Sequence, residues 1–504
     1  MRSAFTFLGL LLASTLLAQN TFSCGMTKAD TKILEKRLLR YKVQLKNGLV
    51  ESRTETSFIP IVFYLIANDK GLGRVKESEV LDQLCQLNED FISQNIQFFI
   101  KNLKYIDDGT LYENHYDGRD RLRQERDNGA LNIFIVKDAN NDSSLEDGTT
   151  LGYYDPQRDW LVIRKDQVNG DSIVLTHEIG HFFGLLHPYN GWDFEPWKEA
   201  VHGNPAPTRS PSGVATELMD GSNCERSGDF LCDTPPDYFF SFGSEDCNHT
   251  TNVLDPVGVQ VDPDELNYMA NFLNGCERND YFFSGEQIEI MSMNVQDPDR
   301  SYLRNDFTPT DSGVPKIPIL ETPSNESTVA TFNLVSFEWS EIEGATQYLF
   351  EIDRVRSFNV QPIRKVTEDP FLELSNLEAK RQYYWRVRSF NAYETCTEFS
   401  SPVSFRTGER LDTTQFQQIE QLKIFPNPTS AQNTLTVELA TQRNFSATIL
   451  IYDIVGRLVL EYETLISPAE RFIELDINRL STGIYIIKAI TEEQEVVKQF
   501  VVAD

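Results

Sequence analysis

Residues 177–187 read HEIGHFFGLLH, and no other stretch of the 504-residue chain limits its fold and chemistry as strongly. Three of the six histidines stand here, with Glu178 beside the first. His177 and His181 are four residues apart. On a helix that spacing puts both imidazoles on one face. Asp171 or Ser172 is placed to cap such a helix, and Gly184 can adopt the left-handed conformation that ends one. The chain then turns, and His187 can swing back as a third ligand. Three neutral imidazoles leave one tetrahedral position of Zn²⁺ for water. The metal draws that water's pKa down and polarises a carbonyl, while Glu178 takes the proton. Packed core histidines would carry no such spacing.

The first residues set the compartment. MRSAFTFLGLLLASTLLAQN has a positive Arg2 and an apolar run from Phe7 to Ala18. That run is too short to cross a bilayer as a helix, so residues 1–18 are expected to be a signal peptide. An alternative is lipoprotein processing before Cys24. No later segment is apolar enough for a transmembrane helix. A net charge of −30 argues against nucleic acid and anionic membrane surfaces as partners. It leaves many carboxylates able to hold calcium.

Export places the seven cysteines in an oxidising setting. Cys224, Cys232, Cys247 and Cys276 cluster and are disulfide candidates, with three possible connectivities. The odd total leaves one thiol over, from Cys24, Cys85 or Cys396.

Three apolar runs read as buried strands: IPIVFYLI at 59–66, LNIFIV at 131–136 and Leu161–Ile163. Glu77 to Phe99 has helical spacing, with Val80, Leu84 and Leu87 on one face. Lys28 to Asn47 is charged and helix-prone without a clear core pattern, as in a short propeptide. Near residue 305 a polar, proline-containing linker begins. Beyond it, period-two strands (Val335, Phe337, Trp339; Tyr348, Phe350, Ile352; Tyr383, Trp385, Val387) indicate a β-sandwich. The length suits roughly three or four domains of about 150 residues.

Four resemblances sharpen this outline. A downstream methionine turn accompanies the HExxHxxGxxH pattern in metzincins, and NYMANFLNGC supplies one with Met269. HEIGHFFGLLHPY, ELMDGSNCERSGDFLCDTPPD, NYMANFLNGC and FFSGEQIEIM together resemble the pappalysin family of metzincin proteases over residues 57–300. Residues 315–408, with VSFEWSEIEGATQYLFEID and YYWRVRSFN, resemble a fibronectin type III domain. IFPNPTS, IYDIVGRLV, LSTGIYIIKA and VVKQFVV occur in order within 419–504. They resemble the C-terminal sorting domain of the type IX secretion system of Bacteroidetes.

The expected chain is therefore multidomain. An α/β (α+β) metzincin-like zincin domain precedes two all-β sandwich domains. Its segments are a signal peptide (1–18), a propeptide (19–56), a metalloprotease (57–305), a fibronectin type III-like module (315–408) and the sorting domain (419–504). The pappalysin resemblance implies zinc ligands His177, His181 and His187, with Glu178 as base. It implies a calcium site at Asp229 and Thr234, with Asp233 a further ligand, and pairing of Cys276 with Cys247. It implies that Cys24, followed by glycine in the propeptide, is a switch filling zinc's open position. Two positions depart from the family. Asn271 stands where a tyrosine supports the oxyanion. Asn274 stands where an acidic residue attracts arginine. The expected activity is that of a secreted zinc endopeptidase, with a protein or peptide substrate and the type IX secretion machinery as partners. The expected location is outside the cell or on its surface. A catalytically inert adhesin on the same scaffold is the competing reading. A metal-dependent hydrolase of a non-peptide substrate ranks last.

Overall fold

The computed structural model describes residues 23–48, 55–140, 150–239, 252–263, 266–270, 278–309, 315–360, 362–375, 377–411, 421–430, 434–441, 445–467, 470–491 and 494–503. Two compact units emerge. The first comprises residues up to 318 together with 341–349 and 387–399. The second comprises 319–340, 350–386 and 400–504.

The first unit is built on a six-stranded sheet. Its strands are β1 (Ser23–Cys24), β2 (Ser57–Ala67), β3 (Ile96–Asp107), β4 (Leu131–Val136), β5 (Thr150–Asp155) and β6 (Trp160–Arg164), in the order β1-β5-β6-β4-β2-β3. β2 pairs in parallel with β3 and β4, and β4 with β6. Only β5 runs antiparallel to its neighbour β6. The continuous apolar run of β2 follows from its central place: Ile59 through Ala67 are buried, as strands covered on both faces require. Tyr64, Phe134 and Trp160 stack one after another across one face of the sheet.

Helices cover the sheet: α1 (Lys28–Lys46), α2 (Glu77–Asp90), the short α3 (Gly109–Glu113), α4 (Arg119–Glu125), α5 (Val174–Phe182), α6 (Glu199–His202) and α7 (Gly285–Gln296). The helical pattern expected from Glu77 to Phe99 stops at Asp90. Asn95, in the left-handed region at φ 53°, turns the chain into β3. α1 does have a core face: Leu34, Leu38 and Tyr41 are buried at i, i+4 and i+7. Thr27 caps it, with Asp30 completing a reciprocal capping box.

Two of the three cysteines considered as the leftover thiol are paired. Cys85 on α2 forms a disulfide with Cys396. Within the same unit, Arg388 pairs with Asp82 at 2.7 Å, Ile100 N–H donates to the Ala392 carbonyl at 2.7 Å, and the Tyr393 hydroxyl donates to Gln97 at 3.0 Å. Residues 387–399 are thus tied to α2 and β3, although the sequence suggested a boundary near 305–315. Cys224 pairs with Cys232. Cys24 is the free cysteine among the described residues. Cys247, Cys276, Asn271 and Asn274 lie outside them.

In the second unit, strands 320–322, 334–339 and 371–375 form a three-stranded sheet. Phe337, Trp339, Phe350, Trp385 and Phe405 interlock as its aromatic core. Strands between 421 and 503 form a three-stranded and a five-stranded sheet. Leu435, Val437, Ile449, Ile487 and Val502 are fully buried between them. The alternation of buried and exposed residues in 421–425 and 472–476 is that of sheets with one wet face.

Candidate active site

All nine residues of α5 are buried, which is why its sequence VLTHEIGHF is apolar on every side except at the histidines, Glu178 and Thr176, whose hydroxyl donates to Asp90. The helix starts one residue later than the capping pattern suggested. Ile173 occupies the cap position, while the Ser172 hydroxyl still accepts from Val174 N–H at 3.2 Å. At the other end Gly184, at φ +97°, turns the chain so that His187 returns to the helix. Beneath the helix lies Met269, fully buried. A Cβ on Gly180 would collide with its sulfur, so only glycine permits this approach. Buried Asn267 and Gln287 exchange paired amide hydrogen bonds, and Asn267 also accepts from Met269 N–H, fixing that turn.

The three histidines converge. Their Nε2 atoms stand 3.1 Å (His177–His187), 3.2 Å (His177–His181) and 3.0 Å (His181–His187) apart. Each Nδ1 is committed elsewhere. His177 Nδ1 lies 2.7 Å from the Tyr268 carbonyl, and His181 Nδ1 lies 2.9 Å from the Leu185 carbonyl. Carbonyl oxygens only accept, so both Nδ1 atoms carry the hydrogen and both Nε2 atoms present lone pairs. His187 Nδ1 faces Asp193 Oδ1 at 2.6 Å. Burial holds His177 down to about 3 and His181 well below the ordinary range, so both rings are neutral. Three lone pairs aimed at one point repel one another unless a cation lies between them. A tetrahedral ion with bonds of about 2.0–2.1 Å keeps its nitrogens about 3.3–3.4 Å apart, close to the spacing here. The residues therefore fit a zinc ion.

Glu178 points into the same space. One of its oxygens, Oε1, is buried and has no hydrogen-bond partner among the described residues. Burial pushes this carboxyl up to about 8. The Cys24 thiol stands 3.5 Å from His181 Nε2 and 3.7 Å from Glu178 Oε2. Burial, and next the Glu178 charge, pushes the thiol up. A thiolate and an imidazole on one tetrahedral zinc ion lie about 3.6 Å apart, given a Zn–S bond of about 2.3 Å. Cys24 together with the three histidines forms a set able to hold one ion. What holds Cys24 there is β1: Ser23 and Cys24 pair in parallel with Thr150 and Gly152 of β5, and Gly25 N–H donates to the Gly152 carbonyl at 2.9 Å.

α1 anchors that strand. Arg40 and Tyr41 bond Asp297, Lys42 pairs with Glu286 at 3.4 Å, and Lys46 pairs with Glu225 at 2.8 Å. Lys42 also donates to the Phe230 carbonyl.

The GDFLCDT segment separates the three residues grouped in the sequence. Asp229 is fully buried. It accepts from Thr234 Oγ1 at 3.0 and 3.1 Å and from Leu231 N–H at 3.0 Å. Asp233 departs from the expected cluster: its oxygens accept from the Ser284 hydroxyl and Glu286 N–H at the start of α7, whose unpaired backbone donors draw it there. Glu217 is buried too, and its carboxyl is pushed up to about 10 by burial and then by the Asp229 charge. Burial also lifts Asp229, to about 7.

Sequence reasoning missed Asp193, Glu217, Lys42 and the two carbonyl acceptors. None follows a spacing rule. A lone acidic residue six positions past the third histidine was the only signal for Asp193.

The secretion-system C-terminal sorting domain family matches residues 423–503, and the chain carries that domain. An extracellular metalloprotease of Colletotrichum graminicola is 25% identical over 254 residues, covering 45% of this chain and 73% of its own length. An extracellular metalloprotease of Neurospora crassa is 24% identical over 301 residues, covering 54% and 87%. A two-domain fibronectin type III segment of chicken tenascin is 13% identical, covers 38% of this chain and 99% of its own, and has a TM-score of 0.17. That score is too low to carry an argument.

Proposed function

We propose that the chain is a secreted zinc endopeptidase of the pappalysin-like metzincin type, made as a latent precursor. The convergence of three Nε2 lone pairs beside Glu178 carries this reading, and the extracellular metalloprotease relatives support it. His177, His181 and His187 hold the metal. Zinc at this centre supplies Lewis acidity, drawing a water's pKa towards about 7 and polarising a peptide carbonyl. Glu178 accepts a proton at its free Oε1 and later delivers it to the leaving amine. Met269 supports the centre from below. β5 offers its edge to an extended substrate backbone, the place β1 now fills.

Latency rests on Cys24, which stands where a fourth ligand belongs. Residues 19–56 are the prosegment on this reading, 57–305 the catalytic segment and 315–408 a fibronectin type III-like module. Calcium is held at Asp229, Thr234 and Glu217, two buried carboxyls and a hydroxyl that offer the oxygen donors this ion takes. After the leader at 1–18 has acted, residues 419–504 engage the type IX machinery for passage across the outer membrane.

The test uses full-length protein cleaved between Lys46 and Phe58. It is expected to contain one zinc, to digest casein and a peptide library, and to lose and regain activity on chelation and zinc return. A folded, zinc-loaded, cleaved chain that hydrolyses nothing above the blank would overturn the proposal.

A further inference from the structure

The three histidines are held by unequal means. His177 and His181 belong to a buried helix, and each rests its Nδ1 on a neutral backbone carbonyl. His187 lies beyond the helix end, on an arm of irregular chain, so no helix fixes it. Two contacts do so instead. The Tyr189 ring lies flat on the imidazole, with centroids 4.5 Å apart and planes 16° apart, and is backed in turn by Phe239 at 4.3 Å. On the other side stands Asp193, whose side chain is 7% exposed. Its Oδ1 meets His187 Nδ1 at 2.6 Å, and its Oδ2 accepts Gly191 N–H at 2.8 Å. Both oxygens are committed, so the carboxylate cannot rotate away. The arm itself is closed by turns from His187 to Asn190 and from Tyr189 to Trp192, and Asn190 is tied to the Gly228 carbonyl at 2.9 Å.

From this asymmetry we propose that Asp193 is the positioning residue of the third ligand and sets the affinity of the centre for zinc. The inference rests on the zinc reading above. A carboxylate acceptor on Nδ1 fixes the tautomer that leaves Nε2 bare, orients the ring and raises its basicity. Loss of such a partner typically costs 10- to 100-fold in metal affinity. The carbonyl partners of His177 and His181 orient their rings without adding a charge. Asp193 places a negative charge directly behind its ligand.

The experiment compares full-length wild type, Asp193→Asn and Asp193→Ala. Each is stripped of metal and checked for fold by circular dichroism. Zinc affinity is read by competition with a chromophoric chelator, and cobalt-substituted samples report ligand geometry in their absorption bands. Wild type should bind one zinc. Asp193→Asn keeps an acceptor but loses the charge, and should bind about ten-fold more weakly. Asp193→Ala should approach 100-fold weaker binding with altered cobalt bands. Wild-type zinc affinity in either folded variant would overturn the inference. If alanine prevents folding, the asparagine variant decides alone. Wild-type protein that binds no zinc would refute the zinc reading itself, which is a separate result.

Discussion

Calcium should stabilise the first unit more strongly as pH rises, and the size of the effect follows from Asp229. Burial moves its carboxyl from an ordinary 3.8 to about 7. Three units at 1.36 kcal/mol each amount to about 4 kcal/mol. The sign follows from linkage. A raised folded pKa means that the folded chain holds the proton more tightly than the unfolded chain. This stability is complete below about pH 4 and is lost as pH climbs through 7. Glu217 is lifted further, to about 10, so it keeps its proton through the neutral range and Asp229 dominates there. On the calcium proposal above, the ion competes with the protons of both carboxyls. At 100 times its dissociation constant it restores about 2.7 kcal/mol. The assay is thermal unfolding from pH 5 to 8.5, with and without millimolar calcium, after chelation and zinc return. The calcium-induced rise in melting temperature should be small at pH 5 and grow steadily to pH 8. Asp229→Asn should abolish that rise and stabilise the calcium-free chain at pH 8. Asp233→Asn should weaken the start of α7 by about 0.5–2 kcal/mol and leave the calcium response intact. A calcium effect equal at pH 5 and pH 8, or persisting in Asp229→Asn, would refute the reasoning.

Three further outcomes are expected. Glu178→Ala should retain zinc and lose about 100- to 10,000-fold in turnover, measured on the cleaved protein by peptide hydrolysis and metal content. Intact Cys24→Ala should hydrolyse peptides faster than intact wild type, with mass spectrometry confirming both N-termini; equal rates would count against the switch. Deleting residues 419–504 should strand the protein in the periplasm of its native host, seen by fractionation and blotting.

The parts legible in sequence were those with a local period. The continuous run of β2, the alternation of 334–339 and the histidine spacing of α5 each reflect a geometry contained within a dozen residues. Where a period crosses a break, the reading failed. Leu84, Leu87 and Phe91 continue a helical rhythm into the IQFFI run, and a single 3-10 turn at Ile92–Gln94 closed by the left-handed Asn95 separates α2 from β3. The core face of α1 hid among charges because Leu34, Leu38 and Tyr41 are isolated by lysines and arginines that themselves form ion pairs with the unit. Contacts at long sequence separation left no trace. Cys85 and Cys396 are 311 residues apart. Asp233 and Asp229 look alike in sequence, yet a helix start 51 residues later claims Asp233.

Lys42 would couple the proposed latency to the buried carboxyls. Its side chain is 13% exposed, donates to the Phe230 carbonyl, pairs with Glu286 and partly opposes the burial that raises Glu217 and Asp229. Among the described residues Lys42 is a cation acting on both carboxyls, and it belongs to α1, within the proposed prosegment. In the intact chain it offsets part of their charge. Cleavage and departure of α1 would remove that offset while leaving both carboxyls in place. The processed enzyme should then depend on calcium more than its precursor does. Melting of intact and cleaved protein at pH 8, each with and without calcium, measures this directly. The calcium-induced shift should be larger after cleavage, and Lys42→Ala should raise the shift of the intact chain towards the cleaved value. Equal shifts in all three proteins would break the link.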